Sequence, residues 1–208
     1  MKYVEDFEAA LKLKIAEIES RSSIEIVPVH FNKAKSYIVW SVFVAAIFAA
    51  IFYEILWVNV SDAWLTGALY LKILSFILIF CGFCFLFTKT KLLFLFIPQQ
   101  SLMEACSTRA SLTFLSEAIF ETRDRSGILV CVFEFEKKVI VLADKGFRAL
   151  VKEDYWKDLA QKLAKDFNRN KVGDEFFEAL HYLEKEVAPH FPRRLDDINE
   201  LGDDLIKR

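Results

Sequence analysis

Residues Ile38 to Val58 read IVWSVFVAAIFAAIFYEILWV, and after a short polar turn Gly67 to Phe87 reads GALYLKILSFILIFCGFCFLF. A helix crossing a hydrocarbon core of about 30 Å needs roughly 20 apolar residues, and each run is that long. The first carries one charge, Glu54, near its far end. The second carries Lys72, close enough to its start for the ammonium to reach headgroups while the stem stays in lipid. A buried hairpin of a soluble protein would keep a polar face on each helix, and these runs have almost none. The pair predicts a transmembrane hairpin.

Charge placement predicts its orientation. Lys33 and Lys35 precede the first span and Lys89 and Lys91 follow the second, whereas the turn around Asn59, Ser61 and Asp62 has no Lys or Arg. The positive-inside bias then puts both ends in the cytoplasm. Met1 to Ser20 is charged and amphipathic, without the apolar core and small-residue cleavage site of a secretory signal, so no removal of a leader is expected. Leu92 to Ile97 (LLFLFI) is too short for a third crossing and is expected to lie in the interface until Pro98.

The hydrophobic fraction of 54% is raised by the hairpin. Outside it remain about 150 residues, enough for one domain with its own core. A net charge of −2 gives no electrostatic footprint for nucleic acid, and no basic patch or stacking motif adds one. Cys81, Cys84, Cys106 and Cys131 form no disulfide framework and are expected as free thiols in a reducing compartment. The C-x-x-C formed by Cys81 and Cys84 sits in an apolar span with no cation beside it to lower a thiol pKa.

Val4, Phe7, Leu11, Ile15 and Ile18 fall on one helical face, and Ile24 to Val29 (IEIVPV) reads as a strand in which Pro28 marks an edge or an end. One helix and one strand cannot bury a core, so residues 1–37 are assigned to the same domain as residues 98–208, with 38–97 inserted as the hairpin and interfacial segment. Gln99 to Phe120 has a helical pattern through Leu102, Ala105, Cys106, Leu112, Leu115 and Ile119. Gly127 to Phe135 and Val139 to Ala143 follow as tightly joined, hence antiparallel, strands. Trp156 to Phe167 and Phe176 to Val187 predict two more helices. The first strand and the second are far enough apart in sequence for a crossover, which would make them parallel. The expected fold is α/β (α+β): a small mixed sheet flanked by helices and interrupted by the hairpin.

The order of T-x-x-R-x-G at Thr122 to Gly127, an apolar strand, a turn region at Glu134 to Val139, A-D-x-G at Ala143 to Gly146, Trp156, and H-F-P followed by D-x-N-E-L at His190 to Leu201 resembles the TPM domain (YgcG-type) family. E-x-x-S-S-I-E-I-V at Glu19 to Val27 resembles the opening of its membrane-protein branch, bacterial proteins with a hairpin inside the domain. The resemblance implies a small sheet between helices. It also implies a range of roles: divalent metal binding, phosphatase activity, or assembly of membrane complexes. Many relatives face the extracytoplasmic side, whereas the lysines here place the domain in the cytoplasm of a bacterial inner membrane, where free calcium is low. Lys171 to Glu175 (KVGDE) matches the family's Gly-rich loop only loosely.

Asp144 ends a predicted strand before Gly146, where it is either a turn-forming aspartate or a ligand at the sheet edge. Arg125 would pair with Asp144, bind an anion, or serve only as a loop arginine. With Asp174 these residues are the candidates for holding a divalent metal (Mg, Mn or Ca) and a phosphate, although hard cations ask for several converging oxygens. His30, His181 and His190 have no metal-ligand spacing, and no nucleophile motif is present. Asp196, Asp197, Asn199, Glu200, Asp203 and Asp204 lack the EF-hand order and read as a solvated acidic tail. The functional expectation is a membrane-tethered binding or assembly module for a protein partner at or near the membrane, the alternative being a metal-dependent phosphohydrolase.

Overall fold

The computed structural model describes residues 2–58, 69–147, 174–194, 196 and 199–208. The chain forms two compact units, one from Met1–Ala34 with Leu102–Arg208 and the other from Lys35–Ser101. Helix α1 (Lys2–Glu19) leads into β1 (Glu25–Phe31), and α4 (Gln99–Ser116) into β2 (Gly127–Phe133) and β3 (Lys138–Ala143). Between β1 and α4 lie α2 (Ile38–Val58) and α3 (Leu69–Lys89), and the described residues end with α5 (Asp174–Tyr182) and β4 (Ile206–Lys207). The predicted helix Trp156 to Phe167 and the polar turn at Asn59, Ser61 and Asp62 lie outside the described residues.

In the α/β unit the strand order is β3-β2-β1-β4. Strands β1 and β2 run parallel from Glu25↔Gly127 to Phe31↔Phe133, and β2 pairs antiparallel with β3. The mixed sheet is therefore as expected, and Ile26 stands opposite Ile128 on the strand that carries Val130. Both faces of the sheet are covered. Ile26, Ile128, Val130, Val132 and Val141 share a core with Leu11, Ile15 and Ile18 of α1 and with Phe176 and Leu180 of α5. Val27, Val29, Phe31, Leu129, Cys131 and Phe133 pack with Cys106 and Ala110 of α4. Burial on both faces is why β2 reads as an unbroken apolar run.

Pro28 is neither at a strand end nor on an edge strand. In a sheet, successive residues of β1 turn their N–H groups to opposite neighbours. The Glu25 N–H donates to Ser126 O on the β2 side (3.2 Å), so Ile26, Pro28 and His30 address the other side. There the Ile26 N–H donates to the Glu19 carboxylate (2.9 Å), and β4 is paired only at Val29 and His30. Proline occupies the position between, where a missing donor leaves no broken ladder.

Helix α4 also departs from expectation. It stops at Ser116, and Ala118 adopts a left-handed conformation (φ 51°) before a short 3-10 turn at Ile119–Glu121. Its buried face is Leu102, Cys106, Ala110 and Thr113, while Leu112 and Leu115 are exposed. Small side chains face the sheet because they let the helix approach closely. Beyond the helix, the 3-10 turn lies close against the start of β2: a Cβ added at Gly127 would lie 2.4 Å from the Ile119 carbonyl oxygen.

In the second unit, α2 and α3 are both long and apolar enough to cross a membrane. They meet through aromatic rings: Phe48 lies 5.8 Å from Phe83 and 5.4 Å from Phe87, and Tyr53 lies 5.6 Å from Phe76. Ala45 and Ala49 are buried between them. The segment expected to lie in an interface forms a 3-10 helix at Lys91–Leu95. Leu93 and Ile97 are buried within the unit, Phe96 stacks edge-on against Phe48 and Phe87, and Leu92 and Leu95 are exposed.

Two outcomes are expected. A fragment from Gln99 to Arg208 lacks the strand between β2 and β4 and should bind a hydrophobic dye and unfold without cooperativity, whereas residues 1–34 joined to 99–208 by a flexible linker should unfold in one denaturant transition. Gly127→Ala should lower the stability of that linked domain by about 1–3 kcal/mol, read from the same denaturant curves.

Candidate functional site

The sequence candidates meet where β2 begins and β3 ends. Thr122 opens the loop: its hydroxyl accepts the Ser126 N–H (3.1 Å) and its carbonyl accepts the Arg125 N–H (3.0 Å). Arg125 itself is left-handed (φ 55°). Across from it the Asp144 N–H donates to Gly127 O (3.0 Å) and the Gly146 N–H to Arg125 O (3.1 Å). Gly146 is required, since a Cβ there would stand 2.6 Å from the Arg125 oxygen and 2.7 Å from that of Asp124.

This backbone weave brings Arg125 Nε to 2.9 Å from Asp144 Oδ2. The contact is an ion pair without hydrogen-bond alignment at Oδ2, while Oδ1 accepts the Lys145 N–H (2.7 Å). The guanidinium also donates through Nη1 to the Phe120 carbonyl, and its carbon lies 5.7 Å from the Phe120 ring centroid. The Asp144 side chain is 5% exposed and that of Arg125 41%, so the arginine forms the outer half of the pair. Both charged groups are thus engaged with each other and with the loop. Asp174 starts α5, but its side chain lies outside the described residues. Among the described residues no three His, Cys, Asp or Glu side chains converge as metal ligands.

The other sequence candidates are scattered. His30 Nε2 is 3.8 Å from Glu134 Oε2, and burial holds its imidazole below the usual range. All four cysteines are free; Cys106 and Cys131 are buried, and burial pushes both thiols up, which leaves them poor nucleophiles.

A second cluster was not anticipated. Glu19 at the end of α1 and Glu25 at the start of β1 are both buried, and with Asn199 and Asp203 they line a cleft of about 160 Å³. The Leu201 N–H donates to Glu25 Oε2 (3.2 Å), and Asn199 donates to Asp203 Oδ1 (2.7 Å). Burial above all, then the nearby carboxylates of Asp203 and Glu25, push Glu19 up to about 8 against the opposing bond from Ile26.

The acidic tail is largely exposed, as expected, but several of its acids have partners. Asp196 pairs with Arg123 (2.8 Å), Asp204 with Lys12 (2.7 Å), and Glu200 accepts the Arg123 N–H (2.9 Å). The run then supplies β4. Asp196, Glu200 and Asp204 thus meet a backbone donor or a cation from a distant element, partners that a linear reading does not show. The one local sign was the pair of apolar residues Leu205 and Ile206 inside an otherwise charged run.

If the Arg125 pair is a structural clasp, Arg125→Ala and Asp144→Asn should each cost about 1–3 kcal/mol, and the double variant should cost clearly less than their sum. Denaturant unfolding of the full chain in detergent measures this. Additive effects would show that the two side chains are energetically independent.

No family model matches this sequence, and no curated protein does. Among solved structures, the chain is similar to the NMR structure of BA42 protein from the psychrophilic bacterium Bizionia argentinensis, at 17% identity and a TM-score of 0.57, covering 98% of this chain and 93% of that one. At that identity the likeness concerns the fold alone.

Proposed function

We propose that this chain is a TPM-like α/β domain tethered to the bacterial inner membrane by a two-span hairpin, with the domain and both termini in the cytoplasm, and that it acts as a binding or assembly module for a membrane-associated protein. The observation that carries this reading is that β1 precedes the hairpin and β2 follows it, yet the two pair along their whole length. The domain can close its sheet only after the chain has passed through α2 and α3 and returned. Such an insertion makes a tether that the domain cannot shed. The lysines on both outer flanks support the cytoplasmic side, and the motif order from Thr122 to Leu201 supports the family.

A metal-dependent phosphohydrolase remains the second reading because Arg125 and Asp144 do come together. It requires their ion pair to open so that Asp144, with Asp174, could hold Mg, Mn or Ca, and Arg125 could bind a phosphoryl oxygen. Robust, metal-dependent turnover of phosphoesters by the purified protein, lost in Asp144→Asn with the fold intact, would favour it over the module.

For the tether, the protein is expected in the membrane fraction after alkaline extraction, and a reporter fused at Arg208 is expected to be active only in its cytoplasmic form. Release by alkali, or an active periplasmic reporter at Arg208, would overturn the topology.

A further inference from the structure

The short helix Lys91–Leu95 and the two residues after it pack into the hairpin unit. Leu93 and Ile97 are buried, and the Phe96 ring meets Phe48 of α2 at 5.3 Å and Phe87 of α3 at 5.7 Å. Phe48 lies well along its helix. Tyr37 and Trp40, at the start of α2, are amphipathic rings of the kind that sit at headgroup level in a spanning helix. From Trp40 to Phe48 is about 12 Å along the axis, against about 15 Å for half of a hydrocarbon core. Phe96 is therefore set at the depth of acyl chains, below the headgroups. Were the boundary at Phe48 instead, the rest of α2 to Val58 would measure about 16 Å, half of what a crossing needs. Ile38, Val39, Val42 and Phe43, all exposed, would then face water.

The segment suits that depth. Leu92, Leu95 and Phe96 present exposed apolar side chains, Leu95 at 74%. Backbone groups among acyl chains must be paired within the chain, which a helical turn achieves and an open loop does not. Here the Phe96 N–H donates to Leu93 O (3.0 Å) and the Thr90 N–H to Leu86 O (3.0 Å). Charge marks the upper border. Lys35 precedes α2, Lys89 ends α3 and Lys91 opens the segment, and no Asp or Glu lies between Lys35 and Tyr53 or between Leu71 and Ser101. Lys35 and Lys89 are exposed, and Lys35 Nζ stands 5.7 Å from the Tyr37 ring centroid, at the level assigned to the headgroups.

We propose that residues 91–97 form a wedge in one leaflet: Leu92, Leu95 and Phe96 insert among the acyl chains beside α2 and α3, while Lys35 and Lys89 hold acidic phospholipid headgroups above them. An apolar face continuous with two spanning helices at Phe48 and Phe87, bordered by lysines with no acid among them, matches a leaflet carrying negative headgroups. The inference rests on the membrane reading of the hairpin and adds a third apolar element to its lysine end.

Nitroxide accessibility tests this in the full-length protein, reconstituted into vesicles of phosphatidylcholine and phosphatidylglycerol. Cys81→Ala and Cys84→Ala remove the thiols of the hairpin, and Cys106 and Cys131 are buried. A nitroxide on Leu95→Cys should relax with oxygen in preference to a water-soluble nickel chelate, as should one on Leu78→Cys of α3, where the native side chain is also exposed. Water-like accessibility at both positions would remove the membrane reading and the wedge with it. Lipid-like accessibility at Leu78 with water-like accessibility at Leu95 would remove the wedge alone. Shielding of the Leu95 label from both reagents, or spin–spin broadening that disappears on dilution with unlabelled protein, would put another protein or a second copy of the chain in place of lipid and overturn it. In vesicles of phosphatidylcholine alone, and in Lys35→Gln with Lys89→Gln, the Leu95 label should shift toward the nickel chelate; an unchanged ratio would overturn the headgroup contact.

Discussion

The parallel pairing of β1 with β2 is the constraint on which the rest of the architecture depends. It joins residues on either side of the membrane-type hairpin into one ladder, from Glu25↔Gly127 to Phe31↔Phe133. Because successive side chains of β1 point to opposite faces of a sheet covered on both, the strand contributes to both cores, Ile26 to one and Val27, Val29 and Phe31 to the other. At its far end Phe31 and Phe133 stack with ring centroids 4.9 Å apart, and the Arg109 guanidinium sits over Phe31. Neither half of the divided domain could bury these residues alone.

A split sheet creates backbone donors that no strand satisfies, and this protein uses carboxylates for them. Glu19 takes the Ile26 N–H, Glu136 that of Ala34, Glu25 that of Leu201, and Glu200 that of Arg123. Each bond links segments far apart in the chain or closes a strand end. An unpaired buried N–H costs about 1–3 kcal/mol, so Glu19 and Glu136, whose bonds to Ile26 and Ala34 are buried, are as much a part of the fold as the apolar core. The arrangement gathers carboxyl groups near the start and end of β1. The fully buried Glu136 holds the point where the chain leaves β1, at Ala34.

Within the hairpin unit the contact surface follows different rules. Close approach and ring packing mark the pairing of these two helices. Ala45 and Ala49 supply the first, and Phe48, Phe52, Phe83 and Phe87 the second.

Much of this was determined by the sequence alone. The two apolar helices, the strands around Ile26 and Val130, and the parallel and antiparallel order follow from runs of side chains long enough to set a period and from connection lengths. These are local properties, and local properties survive in a linear reading. The face of α4 was legible only in part: Leu102 and Cys106 are buried as their spacing suggested, but Ala110 and Thr113 complete the face while Leu112 and Leu115 point outward. Proximity to the sheet selects small residues there over the more apolar ones. The pairing of Arg125 with Asp144 could be named but not decided, since it depends on how two loops close. The cleft around Glu19 and the recruitment of residues 199–208 as β4 were decided by tertiary structure only. A carboxylate beside a distant N–H looks in sequence like any other surface acid, and it acquires its role when the fold takes water away from it.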